Sequence, residues 1–373
     1  MSDLRIERVR TTVLDVPLVR PHRFARTGME SQPILLVQVD TAGGVTGTGE
    51  GVVPGGPWWG GESVETMQVV IERYLAPALL GCRVDRIAEA QQAMDDVSAG
   101  NLFAKAAVEV ALHDAWGRAL GVPVHTLLGG LARTSVPVTW ALGTEDAATV
   151  VQEAEAVLES GRHTSFKLKM GAQDPEADTS RVIEIAGKLA DRAGVRVDLN
   201  ARWDRLTALR YLPRLVEAGV ELVEQPVPGE DVEGLAAVNA ALAVPVMADE
   251  SLRTPRDAYR LATLRAADVY SLKTTKSGGL RPTRMIADVA AAAGIPCHAG
   301  TAIEGPVGTA ASLQLACAVP AVTWGSELFG PLLMREPLLT EPLRYDGGHL
   351  HLPDGPGLGV ELDPDAVAAL RRR

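Results

Sequence analysis

Cysteine is scarce in this chain: Cys82, Cys297 and Cys317 are its three, and none has a paired spacing. That argues against a disulfide framework or a thiolate metal site, and a reducing cytoplasm is the expected compartment. Long apolar runs are missing as well. No stretch of about 18 apolar residues occurs, and the N-terminal MSDLRIERVR is charged, so neither a membrane span nor a signal peptide is expected. Positive charge is the minority sign, 36 Lys and Arg against 47 Asp and Glu, for a formal net charge of −11. No basic run can follow a phosphate backbone, which argues against a nucleic-acid partner. Arg371 to Arg373 read as a short solvated tail. Aromatic residues make up 4% of the chain, so the adjacent pair Trp58–Trp59 stands out. The remaining composition, 46% hydrophobic over 373 residues, is that of a globular protein with room for a large barrel and an added domain.

Read in order, the chain changes pattern once. β-Branched runs from Ile6 to Val16, stopped by Pro17, and from Ile34 to Val39 predict strands. The glycine-rich TAGGVTGTGEG reads as the connection to a third. Gly47, Gly49 and Gly51 have no helix after them, so they are not a dinucleotide loop. The following VVPGGPWWGG reads as a mobile loop with an apolar tip, a lid over a ligand. Helical periodicity then occupies SVETMQVVIERYLAPALLG, VDRIAEAQQAMDDV and FAKAAVEVALHDAWGRALG, which makes residues 1–130 an α+β domain. From 131 to 330 short apolar strands alternate with helical stripes: SVPVTWAL, SFKLKMG, VRVDLNA, ELVEQPV, PVMADES, DVYSLKTT, IPCHAGT and VTWGSELFG. Eight βα units predict a parallel sheet closed into a barrel. Residues 331–373, rich in Pro and Gly, are too short for a domain and are expected to pack back on the first one.

The chemistry is read from strand ends. In SFKLKM the period of two puts Lys167 and Lys169 on one face, with Phe166 and Leu168 on the other. Like charges so close disfavour protonation, so one of the pair is expected to titrate near neutral pH. Lys169, Asp198, Glu224, Asp249, Lys273 and Glu327 then end strands two, three, four, five, six and eight. All six should converge on the mouth of the barrel, where such barrels keep their catalytic groups. Asp198, Glu224 and Asp249 are hard oxygen donors without His or Cys, a set that favours Mg²⁺ or Mn²⁺. Without such an ion they would form a salt-bridge network with the lysines. Asn200, on the face of Asp198, is placed to orient a ligand. Lys169 and Lys273 flank the carboxylates from opposite walls, which gives an acid/base group on each side of a bound substrate. Glu327 is expected to pair with Lys273, and His298 to be a structural barrel residue. The reaction class is proton transfer next to a carboxylate.

KLKM, DLN, VEQP, MADES, LKTTKSGG and SELFGP, with VRPH at Val19 to His22 and PGLGV near the C-terminus, resemble the muconate lactonizing group of the enolase superfamily. The resemblance implies a modified (β/α)7β barrel under an N-terminal α+β capping domain. It also implies one divalent metal, conversion of the small dicarboxylate cis,cis-muconate to muconolactone, and a homo-oligomer, an octamer in the family. One carboxylate adds across the diene, the other becomes an enolate, and Lys169 protonates it, with Lys273 on the opposite face. Loops matching His22 and Pro54 close over the substrate, and Phe329 lines the pocket. Position 54 is usually aliphatic in the family, and here it is proline. The same group contains chloromuconate cycloisomerases, o-succinylbenzoate synthases, N-acylamino acid racemases and dipeptide epimerases. A carboxylate-binding scaffold without turnover is the reading from outside catalysis.

Overall fold

The computed structural model describes residues 3–24 and 27–372. Strand Ile6–Arg23 pairs antiparallel with Gly28–Thr41, which pairs with Thr46–Gly51. The first strand runs on past Pro17 because the register slips between Pro17 and His22, where a missing N–H costs no ladder bond. The glycine-rich TGTGEG is itself the third strand, not a connection. Its glycines are there for close approach: a Cβ on Gly49 would stand 1.9 Å from the Ala107 carbonyl oxygen, and one on Gly47 2.1 Å from that of Ala111. Helix Leu102–Leu120 lies directly on this strand. It is buried around nearly its whole circumference, which is why its sequence shows little amphipathic stripe.

The second sheet has eight parallel strands in chain order, from Trp140–Leu142 to Val322–Ser326. It closes where the Thr139 N–H donates to the Ser326 carbonyl at 2.7 Å. The predicted first strand SVPVTWAL divides. Trp140–Leu142 enters the barrel, while Ser135–Pro137 pairs outside it with His349–His351. Five barrel helices begin on their own side-chain caps, Asp146, Asp174, Asp204, Asp231 and Thr254, each accepting a backbone N–H of the first turn. The next two, Leu280–Ala292 and Pro306–Ala318, begin at Gly279 and Gly305 and have no such cap.

The last residues cross back over both parts. Met334 bridges Leu18, Arg371 bridges Leu14, and the Arg372 guanidinium holds Asp15 at 2.6 Å and also meets Glu65. The C-terminal arginines are therefore not a free tail as far as Arg372, and Arg373 lies outside the described residues. Among the described residues no helix is long and apolar enough to cross a membrane.

Candidate active site

Strand register builds the site. Lys169 stands opposite Asp198, and Asp198 opposite Glu224, so three neighbouring strands end at one level with charged side chains. Asp249 follows strand Val246–Ala248, and Lys273 follows Val269–Leu272. Glu327 follows Val322–Ser326 on the strand that closes the barrel. All six are buried.

Each carboxylate meets an ammonium group. Lys167 donates to Glu224 at 2.8 Å and Glu327 at 2.5 Å and lies 3.3 Å from Asp198. Lys169 donates to Asp198 at 2.5 Å and to Asn200 Oδ1 at 3.1 Å. Lys273 donates to Asp249 Oδ2 at 2.6 Å. Two expectations change. Glu327 pairs with Lys167, not with Lys273, because the closed barrel brings strand eight across to strand two. Lys167 is not the lysine its neighbour makes easier to deprotonate. Burial would lower its pKa, but Glu224, Glu327 and Asp198 together raise it well above the usual lysine value. Burial also opposes ionisation of Asp198, yet Lys169 and Lys167 hold it at about 2.

Two further residues join the cluster. The Lys276 ammonium donates to both the carbonyl and Oδ1 of Asp249. The Glu250 Oε1 accepts from Asn200 Nδ2 and from the indole of Trp59. Both lie beyond a strand end, where the period of two no longer says which way a side chain points. The K-x-x-K spacing of Lys273 and Lys276 was the one available signal.

Among the described residues, no three His, Cys, Asp or Glu side chains converge closely enough to hold a metal as they stand. The ammonium groups hold them apart in the salt-bridge network. Glu224 nonetheless keeps a buried Oε1 with no partner. Burial, and then the charge of Asp198, pushes its carboxyl up to about 8. An unpartnered oxygen among crowded hard donors is the imbalance a divalent cation would correct, so Asp198, Glu224 and Asp249 fit such an ion.

The remaining predicted residues form the roof. His22, Phe24, Pro54, Trp58, Trp59, Phe329 and the segment Thr301–Ile303 line one pocket of about 30 Å³ with Lys167, Lys169 and Lys273. His22 is fully buried with Nε2 unpartnered, and burial, then Arg20, keeps it neutral far below the usual histidine value. The Trp59 ring lies over the Lys273 ammonium at 4.6 Å, and Phe24 over that of Lys169 at 5.7 Å. His298, outside this group, donates from Nδ1 to the Trp324 carbonyl at 3.0 Å.

Known proteins resemble this chain over its whole length. Residues 8–129 match the N-terminal domain model of mandelate racemase / muconate lactonizing enzyme, and residues 149–366 match the enolase C-terminal domain-like model. Muconate cycloisomerase 1 of Rhodococcus opacus is 63% identical over 372 residues, covering 100% of both chains. A chloromuconate cycloisomerase of Cupriavidus necator is 43% identical over 364 residues, covering 98% of each. The muconate lactonizing enzyme of Pseudomonas fluorescens, solved with muconolactone, superposes with a TM-score of 0.96 at 41% identity and covers 100% of both chains. The chain belongs to the mandelate racemase / muconate lactonizing enzyme family of the enolase superfamily.

Proposed function

We propose that this chain is a muconate cycloisomerase, an isomerase that interconverts cis,cis-muconate and muconolactone. The observation that carries the reading is the placement of Lys169 and Lys273 on opposite walls of one buried, roofed cluster of carboxylates. One muconate carboxylate adds through oxygen to the diene, and the other takes the electrons as an enolate. The Lys169 ammonium gives its proton to the α-carbon of that enolate, and in reverse the amine removes it. Lys273 places positive charge on the other face. Lys167, fixed by Glu224 and Glu327, stands behind Lys169 on the same face of the strand. Asn200 Oδ1 aims the Lys169 ammonium, while the roof residues His22, Pro54 and Phe329 exclude water and select shape. Asp198, Glu224 and Asp249 would hold a Mn²⁺ or Mg²⁺ ion, whose charge would stabilise the developing enolate.

We infer that the Trp58–Trp59 loop, part of the roof over the lysines, lifts to admit muconate and then returns. Plain muconate is favoured over its chlorinated analogues by the 63% identity to a muconate enzyme against 43% to a chloromuconate one. The chain is proposed to act in the cytoplasm as a homo-oligomer, an octamer on the family pattern. Purified protein with Mn²⁺ and cis,cis-muconate should lose the diene absorbance, and an EDTA-treated sample should not. No loss with metal present would turn the reading towards a racemase or a succinylbenzoate synthase, distinguished by deuterium washed from solvent into the substrate α-position.

A further inference from the structure

The two barrel helices without caps of their own are capped from the other domain. Helix Leu280–Ala292 begins at Gly279, and its first two N–H groups donate to the Glu109 carboxylate at 2.7 and 2.9 Å. Glu109 sits on helix Leu102–Leu120, beneath the N-terminal sheet. Helix Pro306–Ala318 begins at Gly305, and the N–H groups of Gly305 and Gly308 donate to Glu50 at 2.5 and 3.0 Å. Glu50 sits on strand Thr46–Gly51. Both carboxylates are buried. The glycines make room for them. A Cβ on Gly279 would lie 2.3 Å from Glu109 Oε2, and one on Gly305 2.9 Å from Glu50 Oε2. The other five capped helices use a residue adjacent in the chain. These two use residues from a different sheet and helix, at the N-terminal positive end of the helix dipole.

What precedes each helix is a wall of the catalytic pocket. Lys273 to Gly279 carries Lys273 and Lys276 into the first capped helix. Thr301, Ala302 and Ile303, all lining the pocket, lead into the second. The second wall is tightly folded: Glu304 accepts from Thr301, from Ala302 N–H at 2.9 Å and from Thr275 at 3.3 Å, and Ile303 takes a φ of +58°. On its other side Glu50 is followed four residues later by Pro54, in the roof. His113 is the titratable neighbour of Glu109, 3.3 Å from its Oε1.

We propose that Glu109 and Glu50 are positioning residues. Each completes a barrel helix in trans and thereby sets the distance between the capping domain and one wall of the pocket. Glu109 fixes the wall that carries Lys273. Glu50 fixes the binding wall Thr301–Ile303 against the roof at Pro54. The two therefore act on different kinetic constants.

The kinetic arm rests on the muconate reading, and a second arm does not. Glu109→Gln and Glu50→Gln keep the side-chain volume but put an NH₂ where one of the two accepting oxygens was. In both, hydrogen exchange followed by mass spectrometry should speed up by about tenfold or more at the start of the matching helix, and there alone. With muconate and Mn²⁺, Glu109→Gln should lower kcat by about tenfold with KM nearly constant. Glu50→Gln should raise KM by about tenfold with kcat nearly constant. Glu109→Ala and Glu50→Ala should deepen each effect, and the Gln variants carry the test if these do not fold. Unchanged exchange at residues 280–281 and 305–308 overturns the caps. Faster exchange with the same fall in active enzyme and unchanged KM in both variants overturns the positioning role. If the wild type turns over no muconate, the functional reading fails while exchange still decides the caps.

Discussion

Two groups of buried carboxylates are answered differently. At the barrel mouth Asp198, Glu224, Asp249 and Glu327 face the ammonium groups of Lys167, Lys169, Lys273 and Lys276. Between the domains Glu50, Glu109 and Asp114 face backbone N–H groups, with Arg118 also on Asp114. Glu62 does the same within the capping domain, accepting from Phe103 and Ala104. A backbone amide cannot lose its proton or swing away, so those carboxylates define architecture. An ammonium on a long side chain can do both, so the mouth can exchange partners and protons. Of these seven mouth and interface carboxylates, Glu224 alone keeps a buried oxygen with no partner, its Oε1.

The largest effect expected is at the mouth. Lys169→Ala should lower kcat by ~10²–10⁴-fold while Mn²⁺ still binds, read by steady-state kinetics beside a Mn²⁺ titration. Turnover near the wild-type rate would remove Lys169 as the proton donor, and the mouth would then resemble the interface, a set of structural ion pairs. Asp249→Ala strips the partner from both Lys273 and Lys276. Breaking a buried pair on one side costs about 3–5 kcal/mol, so its denaturant midpoint should fall steeply and Mn²⁺ affinity with it. A variant of full stability would mean that the lysines find other acceptors.

The interface breaks by volume as readily as by charge. In Gly49→Ala the new methyl meets the Ala107 backbone, and overpacking of this kind costs about 1–3 kcal/mol. Thermal melting should show a drop with kcat retained per folded molecule. An unchanged melting temperature would mean that helix Leu102–Leu120 can move away from the sheet, and that the interface is softer than its fixed amide bonds imply.

The same contrast decides what could be read in advance. The ladder Lys169, Asp198, Glu224, Asp249, Lys273 and Glu327 was legible because strand alternation and barrel geometry are local rules repeated eight times. Its pairing was not. Glu327 meets Lys167 at a separation of 160 residues, and nothing near either residue encodes that choice. Lys276 and Glu250 sit past the end of the periodic signal. TGTGEG reads as a turn because glycine is usually a breaker, and it is a strand because a helix presses on it. The caps were the least visible, since Glu50 and its amides lie 255 residues apart or more.

The last effect expected is a pH dependence at the interface. Burial is the main influence on Glu50 and raises its carboxyl from 4.5 to about 7, with Glu304 adding to the rise and the helix N–H groups opposing it. A carboxyl raised by folding stays protonated in the native state after the unfolded chain has lost that proton. Its contribution is therefore whole below about 4.5 and is lost as pH climbs to about 7. Glu50→Gln has no such proton. Denaturant melts across that window should show the wild type losing stability relative to Glu50→Gln as pH rises, and the difference should level off above it. A flat difference would mean that the helix terminus keeps Glu50 ionised throughout. The interface would then hold a full charge with fixed amides alone, the one thing the mouth needs four lysines to do.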